Sequence, residues 1–199
     1  MERFTITGVS SAADTNGFAA TVGAVTPGTT LFALSATEVG DSLAHKVIIT
    51  PSGSVTGSYV ITSTDANGFT QTETLATNTT NAVTSSKYHL TLTSVKSPAG
   101  LGAETVDIGW TADSVSAWTY PQPSGPEFNI GFACIKDSGT PTYGVQQTYD
   151  NGTTAFNHST VTGETTSQEG VYTSPVQGYR LNWTAAGGVT MWAYQVALK

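Results

Sequence analysis

Charge, cysteine and long apolar runs are all scarce in this chain, and each scarcity removes a class of protein. Charged residues make up 11% of the 199 residues, too few for the Glu- and Lys-covered faces that long exposed helices use. Cys134 is the single cysteine, which excludes an internal disulfide framework. No apolar run approaches the roughly 20 residues that a membrane helix needs, so no membrane is expected. Seven basic residues against 14 acidic ones give a formal net charge of -7. An acidic average surface repels a phosphate backbone, and nucleic acid is not an expected partner. The opening Met-Glu-Arg-Phe-Thr-Ile has neither a basic n-region nor an apolar h-region, so the expectation is a protein made and folded in a reducing cytosol. Asn-x-Ser/Thr triplets at Asn78, Asn151, Asn157 and Asn182 carry no weight without a secretory route.

Thr and Ser fill most polar positions, and there are 21 glycines. That composition favours strands joined by tight turns, an all-β protein. The clearest stretch runs from Tyr59 to Glu73, where two β-prone segments flank Asp65-Ala66-Asn67-Gly68. Asn-Gly tolerates the positive φ angles of a type I′ turn. The stretch therefore predicts a hairpin with Asp65, Asn67 and Gly68 as structural turn residues. In that register Ala66 faces Phe69, Thr62 faces Glu73 and Val60 faces Leu75.

Phe4 and Ile6 alternate with threonines as a half-buried strand does. Asp14-Thr15-Asn16-Gly17 repeats the Asp-x-Asn-Gly form, which suggests a hairpin or looser strand-loop-strand over residues 4–22. Val47-Ile48-Ile49 suits a covered strand. Lys87 to Val95 follows, with Tyr88, Leu90 and Leu92 on one face, and then Thr105 to Thr111, with Val106, Ile108 and Trp110 together. Trp118-Thr119-Tyr120-Pro121-Gln122-Pro123-Ser124-Gly125-Pro126-Glu127 is too proline-rich for a central strand and reads as a stiff linker. Beyond it, Phe128–Ile135 and Tyr143–Tyr149 are strand-like, and Pro175–Trp183 and Val189–Leu198 form the last two strands, joined at Ala186-Gly187-Gly188. The expected architecture is two antiparallel β-sandwich modules, Ig-like or jelly-roll-like, over residues 1–117 and 128–199, joined by the Pro-rich linker 118–127. Residues 1–45 are assigned to the first module, with an extended arm across a neighbouring subunit as the alternative.

Candidate chemistry is thin. Cys134, His158 and Asp150 supply the residue types of a nucleophilic triad, but alternation puts Cys134 beside Ile130 and Phe132 on an apolar face. Asp65-Ala66-Asn67-Gly68 opens like a calcium loop, yet an EF-hand needs a Glu at the twelfth position, where Ala76 stands. His45, His89 and His158 are far apart in sequence and lack ligand-like spacing. No catalytic residue, metal or cofactor is assigned, and the protein is expected not to be an enzyme. The aromatics Trp110, Trp118, Tyr120, Trp183, Trp192 and Tyr194 serve either as core or as an apolar platform for sugars. Trp118, Tyr120, Trp183 and Trp192 are the candidate binding or interface patch.

The block Lys46-Val47-Ile48-Ile49-Thr50, the hairpin Thr62 to Thr74, and the run from Thr84-Ser85-Ser86-Lys87-Tyr88 to Thr93-Ser94-Val95 resemble a recurrent structural protein of tailed-bacteriophage virions. In that group a T-x-T-D-A-x-G-x-x-x-T-E-T hairpin precedes an S-x-K-Y/F strand and a T-S-V/I strand. Phe128-Asn129-Ile130-Gly131, Tyr143-Gly144-Val145-Gln146, Thr148-Tyr149-Asp150, Phe156-Asn157-His158, Ser174-Pro175-Val176 and Arg180-Leu181 are similar to the module that often follows. The resemblance implies a non-enzymatic virion component made in the host bacterial cytoplasm, with the major capsid protein or other virion proteins as partners. A capsid decoration or cement protein, homo-oligomeric and trimeric around local symmetry axes, is the first expectation. The alternative is a tail, collar or head-fibre component whose carboxy-terminal module binds a host surface glycan. Arg180, one of two arginines, is expected to form a buried ion pair in that module.

Overall fold

The computed structural model describes residues 2–23, 26–77, 80–121 and 129–195. Among them no helix forms, and the fold is all-β, built of antiparallel sheets. In chain order the strands are β1 (Glu2–Ser10), β2 (Asp14–Gly23), β3 (Ala44–Pro51), β4 (Gly57–Thr64), β5 (Thr70–Thr77), β6 (Val83–Thr84), β7 (Thr91–Lys96), β8 (Thr105–Val115), β9 (Ile130–Thr148), β10 (Phe156–Asn157), β11 (Gln168–Tyr172) and β12 (Gly178–Gln195). They divide into two compact units, one of Ala12–Ser114 and one of Met1–Ser11 with Val115–Lys199.

In the unit Ala12–Ser114, β4 lies between β5 and β7, while β8 is hydrogen-bonded to β2 and β3, and β3 to β6. Phe18 and Ala19 of β2, Val47 and Ile49 of β3 and Val106 and Ile108 of β8 share one core with Tyr59 and Ile61 of β4, Leu75 of β5 and Leu92 and Val95 of β7. Period-2 alternation supplies this core: β4 buries Tyr59, Ile61 and Ser63 and turns Val60, Thr62 and Thr64 outward. The outward residues meet Thr74, Thr72 and Thr70 in a threonine-rich ladder on the face opposite Tyr59 and Ile61.

The hairpin exists, but its turn is one residue longer than the Asn-Gly pair predicts. Asp65 N donates to the Phe69 carbonyl (2.8 Å) and Gly68 N to the Asp65 carbonyl (3.0 Å), leaving Ala66, Asn67 and Gly68 as a three-residue loop. Gly68 takes the left-handed position at φ 84°. The Asp65 carboxylate decides the form, because its Oδ1 accepts from both Asn67 N and Phe69 N at 2.9 Å. Thr64 therefore pairs with Thr70, Ile61 with Glu73 and Tyr59 with Leu75, in place of the expected Thr62–Glu73 and Val60–Leu75.

Two further expectations shift in this unit. Asp14 to Gly17 lies inside β2, where the pairing with β8 is irregular between Asp14 and Ala19. Gly17 is needed there because a Cβ would collide with the Trp110 ring. After Lys87 the chain changes phase: β7 starts at Thr91, and His89, Leu92 and Val95 are the buried residues rather than Tyr88 and Leu90.

The other unit is built on β9 and β12, strands of 19 and 18 residues that pair along their whole length. Each merges two expected strands. Ala186-Gly187-Gly188 is an irregularity within β12 opposite Ser138 and Gly139, not a turn. The glycines are required at this level: Gly139 has φ 65°, and a Cβ on Gly187 would press on Pro141. β11 pairs with the first part of β9 and β10 with its end. β1 pairs with β12 from Glu2–Gln195 to Ser10–Gly187, so residues 2–10 belong with the carboxy-terminal strands and not in a hairpin with β2.

The chain passes between units at Ser11–Ala12 and Ser114–Val115, so the expected boundary at 118–127 falls within the discontinuous unit. Trp118 is buried and Thr119 bridges to Tyr179. Residues 122–127 of the expected linker and 196–198 of the last expected strand lie outside the described residues.

The turn makes a direct test. No atom lies within 4 Å of a Cβ built on Gly68, so Gly68→Ala is expected to cost about 1 kcal/mol as backbone strain alone. Asp65→Ala removes two hydrogen bonds and is expected to cost about 1–2 kcal/mol. Denaturant midpoints of the two variants check both figures.

Candidate functional site

A core strand position normally holds an apolar side chain, and Glu73 occupies one. It sits opposite Ile61 and two residues before Leu75. Burial of a carboxylate is tolerated only when its lone pairs are used. Here Oε1 accepts from Ser86 N (2.7 Å) and Ser86 Oγ (2.9 Å), and Oε2 from Lys87 N (3.2 Å) and His89 Nε2 (3.1 Å). Lys87 Nζ donates to the Thr72 carbonyl beside it (2.8 Å). Beyond His89, Ser63 Oγ lies 2.7 Å from Nδ1. Ser63 donates, Nδ1 accepts, and Nε2–H points at Glu73.

Burial opposes ionisation of Glu73, but the hydrogen bonds from Ser86 and Lys87, with the His89 field, outweigh it and hold the carboxyl below its usual range. Burial, aided by the Lys87 charge, lowers the His89 pKa against the opposing pull of Glu73. At neutral pH the contact is thus a hydrogen bond from a neutral imidazole to a carboxylate.

Serine, histidine and glutamate in a line have the connectivity of a hydrolytic triad. Both ends of the line are buried, Ser63 at 0% and Glu73 at 8% exposure, whereas acyl transfer needs the hydroxyl open to substrate. The line works as a brace between β4, β5 and the segment 85–89. His45 and His89, remote in sequence, are backbone partners (3.0 and 2.8 Å). Their side chains diverge, since His45 reaches Asp41 (2.8 Å) and the Thr111 carbonyl (3.0 Å). Among the described residues no group of three or more His, Cys, Asp or Glu is placed to hold a metal.

Cys134, His158 and Asp150 do not form a constellation. Cys134 is fully buried, and burial pushes its thiol up to about 12. His158 Nδ1 accepts from Thr160 N (3.3 Å) while Nε2 faces the Val171 carbonyl (3.4 Å). Asp150 accepts from Thr148 Oγ1 and Thr154 N, both at 2.8 Å, as a turn cap.

The aromatic patch separates into three places. Trp183 is 0% exposed. Trp118 is buried beneath the Arg180 guanidinium, 4.3 Å from its ring centroid, and Tyr120 lies on Gly178 at the start of β12. Arg180 stacks on that ring, and its Nε donates to Gln146 (2.9 Å). Trp192, 41% exposed, stands near the other end of β12.

A groove of about 730 Å³ lies near that end, lined by Gly131, Ala133, Glu169, Val171, Tyr194 and the turn His158–Thr160. Strand register explains part of the lining: Val171, Gly131 and Tyr194 are neighbours across β11, β9 and β12, as are Glu169, Ala133 and Trp192. Sequence reading missed this groove, although two small residues alternating with Phe132 and Ile130 on β9 mark a low floor. It also missed the Glu73 brace, for which an acidic residue at a core position of the hairpin was the available sign.

The brace carries a pH signature. Above pH 6.5 neither folded nor unfolded His89 is charged. Below it the unfolded chain takes up the proton first, so stability falls with pH. Glu73 adds stability that is full above its ordinary 4.5 and lost as pH drops through its lowered folded value. Glu73→Ala strands the donors of Ser86, Lys87 and His89, with an expected cost of about 3 kcal/mol, and flattens the acid limb below pH 4.5. Melting temperatures across pH 3–8 for both proteins check this.

Comparison of the chain with protein-family models, with curated proteins and with solved structures found no match in any of the three.

Proposed function

We propose that this protein is a non-enzymatic structural component of a tailed-phage virion, most simply a decoration protein seated on the head lattice. In this reading its two units are β-sandwich modules, and its partner is the major capsid protein. The observation that carries the reading is the Glu73 brace. Among the residues on which the resemblance rests, Glu73 accepts from Ser86 N and Lys87 N, and Ser85 Oγ bridges Val47 N and the Lys87 carbonyl, so that they form one hydrogen-bond network around a buried carboxylate. A motif spent on locking strands together suits a protein whose task is to hold shape.

The hairpin tip supports the same reading. Phe69 is 71% exposed, yet its backbone is clamped by Asp65 on both N–H and carbonyl. A rigidly presented aromatic loses little conformational entropy on docking and makes a suitable interface anchor. Many weak copies of such a contact add up to a stable coat through avidity.

Purified protein added to capsids stripped of it is expected to rebind in a fixed ratio to the capsid protein, measured by calibrated mass spectrometry of the particles. Phe69→Ala is expected to weaken rebinding by about 1–2 kcal/mol, roughly tenfold per site, without loss of fold. Failure of the wild-type protein to bind such capsids would remove the decoration role.

A further inference from the structure

We propose that the groove over Gly131, continued past His158 to Tyr149 and Phe156, binds a neutral oligosaccharide. A second hollow of about 200 Å³ adjoins the first and shares His158, Ser159 and Val171 with it; Gln147, Tyr149 and Asn157 line its far side. Sharing those three residues, the two hollows are contiguous.

Three features of the cleft specify its occupant. The first is aromatic surface at both ends. Tyr194 stands at one end, and at the other Tyr149 and Phe156 are 54% and 48% exposed with ring centroids 5.8 Å apart. Exposed ring faces suit the C–H faces of pyranoses. The second is the floor. A Cβ built on Gly131 meets nothing within 4 Å, so the space above the strand is open and bounded only by the missing side chain. The third is the polar set. Asn157 Oδ1 is engaged by Gln146 Nε2 at 3.1 Å, which leaves the Asn157 NH2 donors for a ligand. Ser159, Thr160 and Gln147 add hydroxyls and a second amide. Planar amides and hydroxyls placed among aromatic rings match the alternating hydroxyl and C–H pattern of a sugar.

Charge excludes the anionic members of this class. Among the described residues, Glu169 is the one charged residue on the lining of either hollow, and the protein carries a formal net charge of -7, so uronic and sialic acids are repelled. His158 is a positioning residue here. Wedged edge-on between Phe132 and Tyr172, each at 5.0 Å between centroids, it spends its nitrogens on Thr160 and Val171 and fixes the wall that the two hollows share.

The inference rests on the cleft alone and holds whether or not the protein sits on a capsid. The test is a titration of the full-length, isotope-labelled chain with chitotriose, cellotriose, maltotriose and mannotriose, with sialyllactose and a neutral octapeptide as the other arms. Shifts of the Gly131, Ala133, Ser159 and Gly170 amides by at least one neutral sugar are the expected result. Gly131→Leu, which fills the floor, and Tyr149→Ala, which removes an exposed ring, should each lower that affinity at least tenfold while the melting temperature stays unchanged. The proposal is overturned if no neutral sugar at millimolar concentration moves these amides, if Gly131→Leu binds as well as the wild type, or if sialyllactose or the peptide binds more tightly than every neutral sugar.

Discussion

A carboxylate inside a β-protein must have its oxygens occupied, and the arrangement around Glu73 follows from that requirement. Its four donors come from three residues far from it in the sequence, Ser86, Lys87 and His89. Meeting them fixes where the segment after β6 crosses the hairpin. That crossing sets His89 against His45 in a backbone bridge and places β7 beside β4. A polar network of this kind tolerates little partial formation, because each lost partner leaves another group buried and unpaired. It specifies one register where threonine-rich strands alone would accept several.

The discontinuous unit obeys a different constraint, the length of its two main strands. A pair as long as β9 and β12 accumulates twist, and the glycines at 139, 187 and 188 with Pro141 let both strands bend at the same level. The same bend separates the aromatic residues of β12 into interior ones before it, Tyr179 and Trp183, and more exposed ones after it, Trp192 and Tyr194. The unit therefore presents side chains of one strand in places with unlike surroundings.

Local chemistry in the sequence was readable, and long-range pairing was not. The all-β class follows from few charges and many threonines, and the core positions Val106 and Ile108 follow from alternation, whereas Leu75 joins Tyr59 and Ile61 only through the register that the longer turn sets. Turn signals misled where a residue had two uses. Asn67-Gly68 is a two-residue turn by propensity, but the Asp65 side chain gains two amide bonds in the longer loop. Gly187-Gly188 reads as a turn in isolation, yet facing Gly139 it becomes a bend in a continuous strand. The pairing of β1 with β12 leaves no local trace, because either strand's alternation fits any apolar partner. The cleft beside Gly131 was hidden for the same reason: its lining comes from β9, β11, β12 and a turn, and only tertiary register assembles it.

The contact of β1 with β12 bears on how the molecule is made. Glu2 pairs with Gln195, so β1 leaves the ribosome long before the strand it pairs with. Residues 12–114 contain both sides of their own core and can fold in the interval. During that time β1 waits with its hydrogen-bonding edge open, and closing so large a loop is slow because sequence-distant contacts form late. The alternation of Arg3, Thr5 and Thr7 with Phe4 and Ile6 keeps the waiting strand half polar, which discourages pairing with a neighbouring nascent chain. Assembly of the unit is thus timed by the synthesis of β12, and a chain truncated before β12 would carry β1 as an orphan strand.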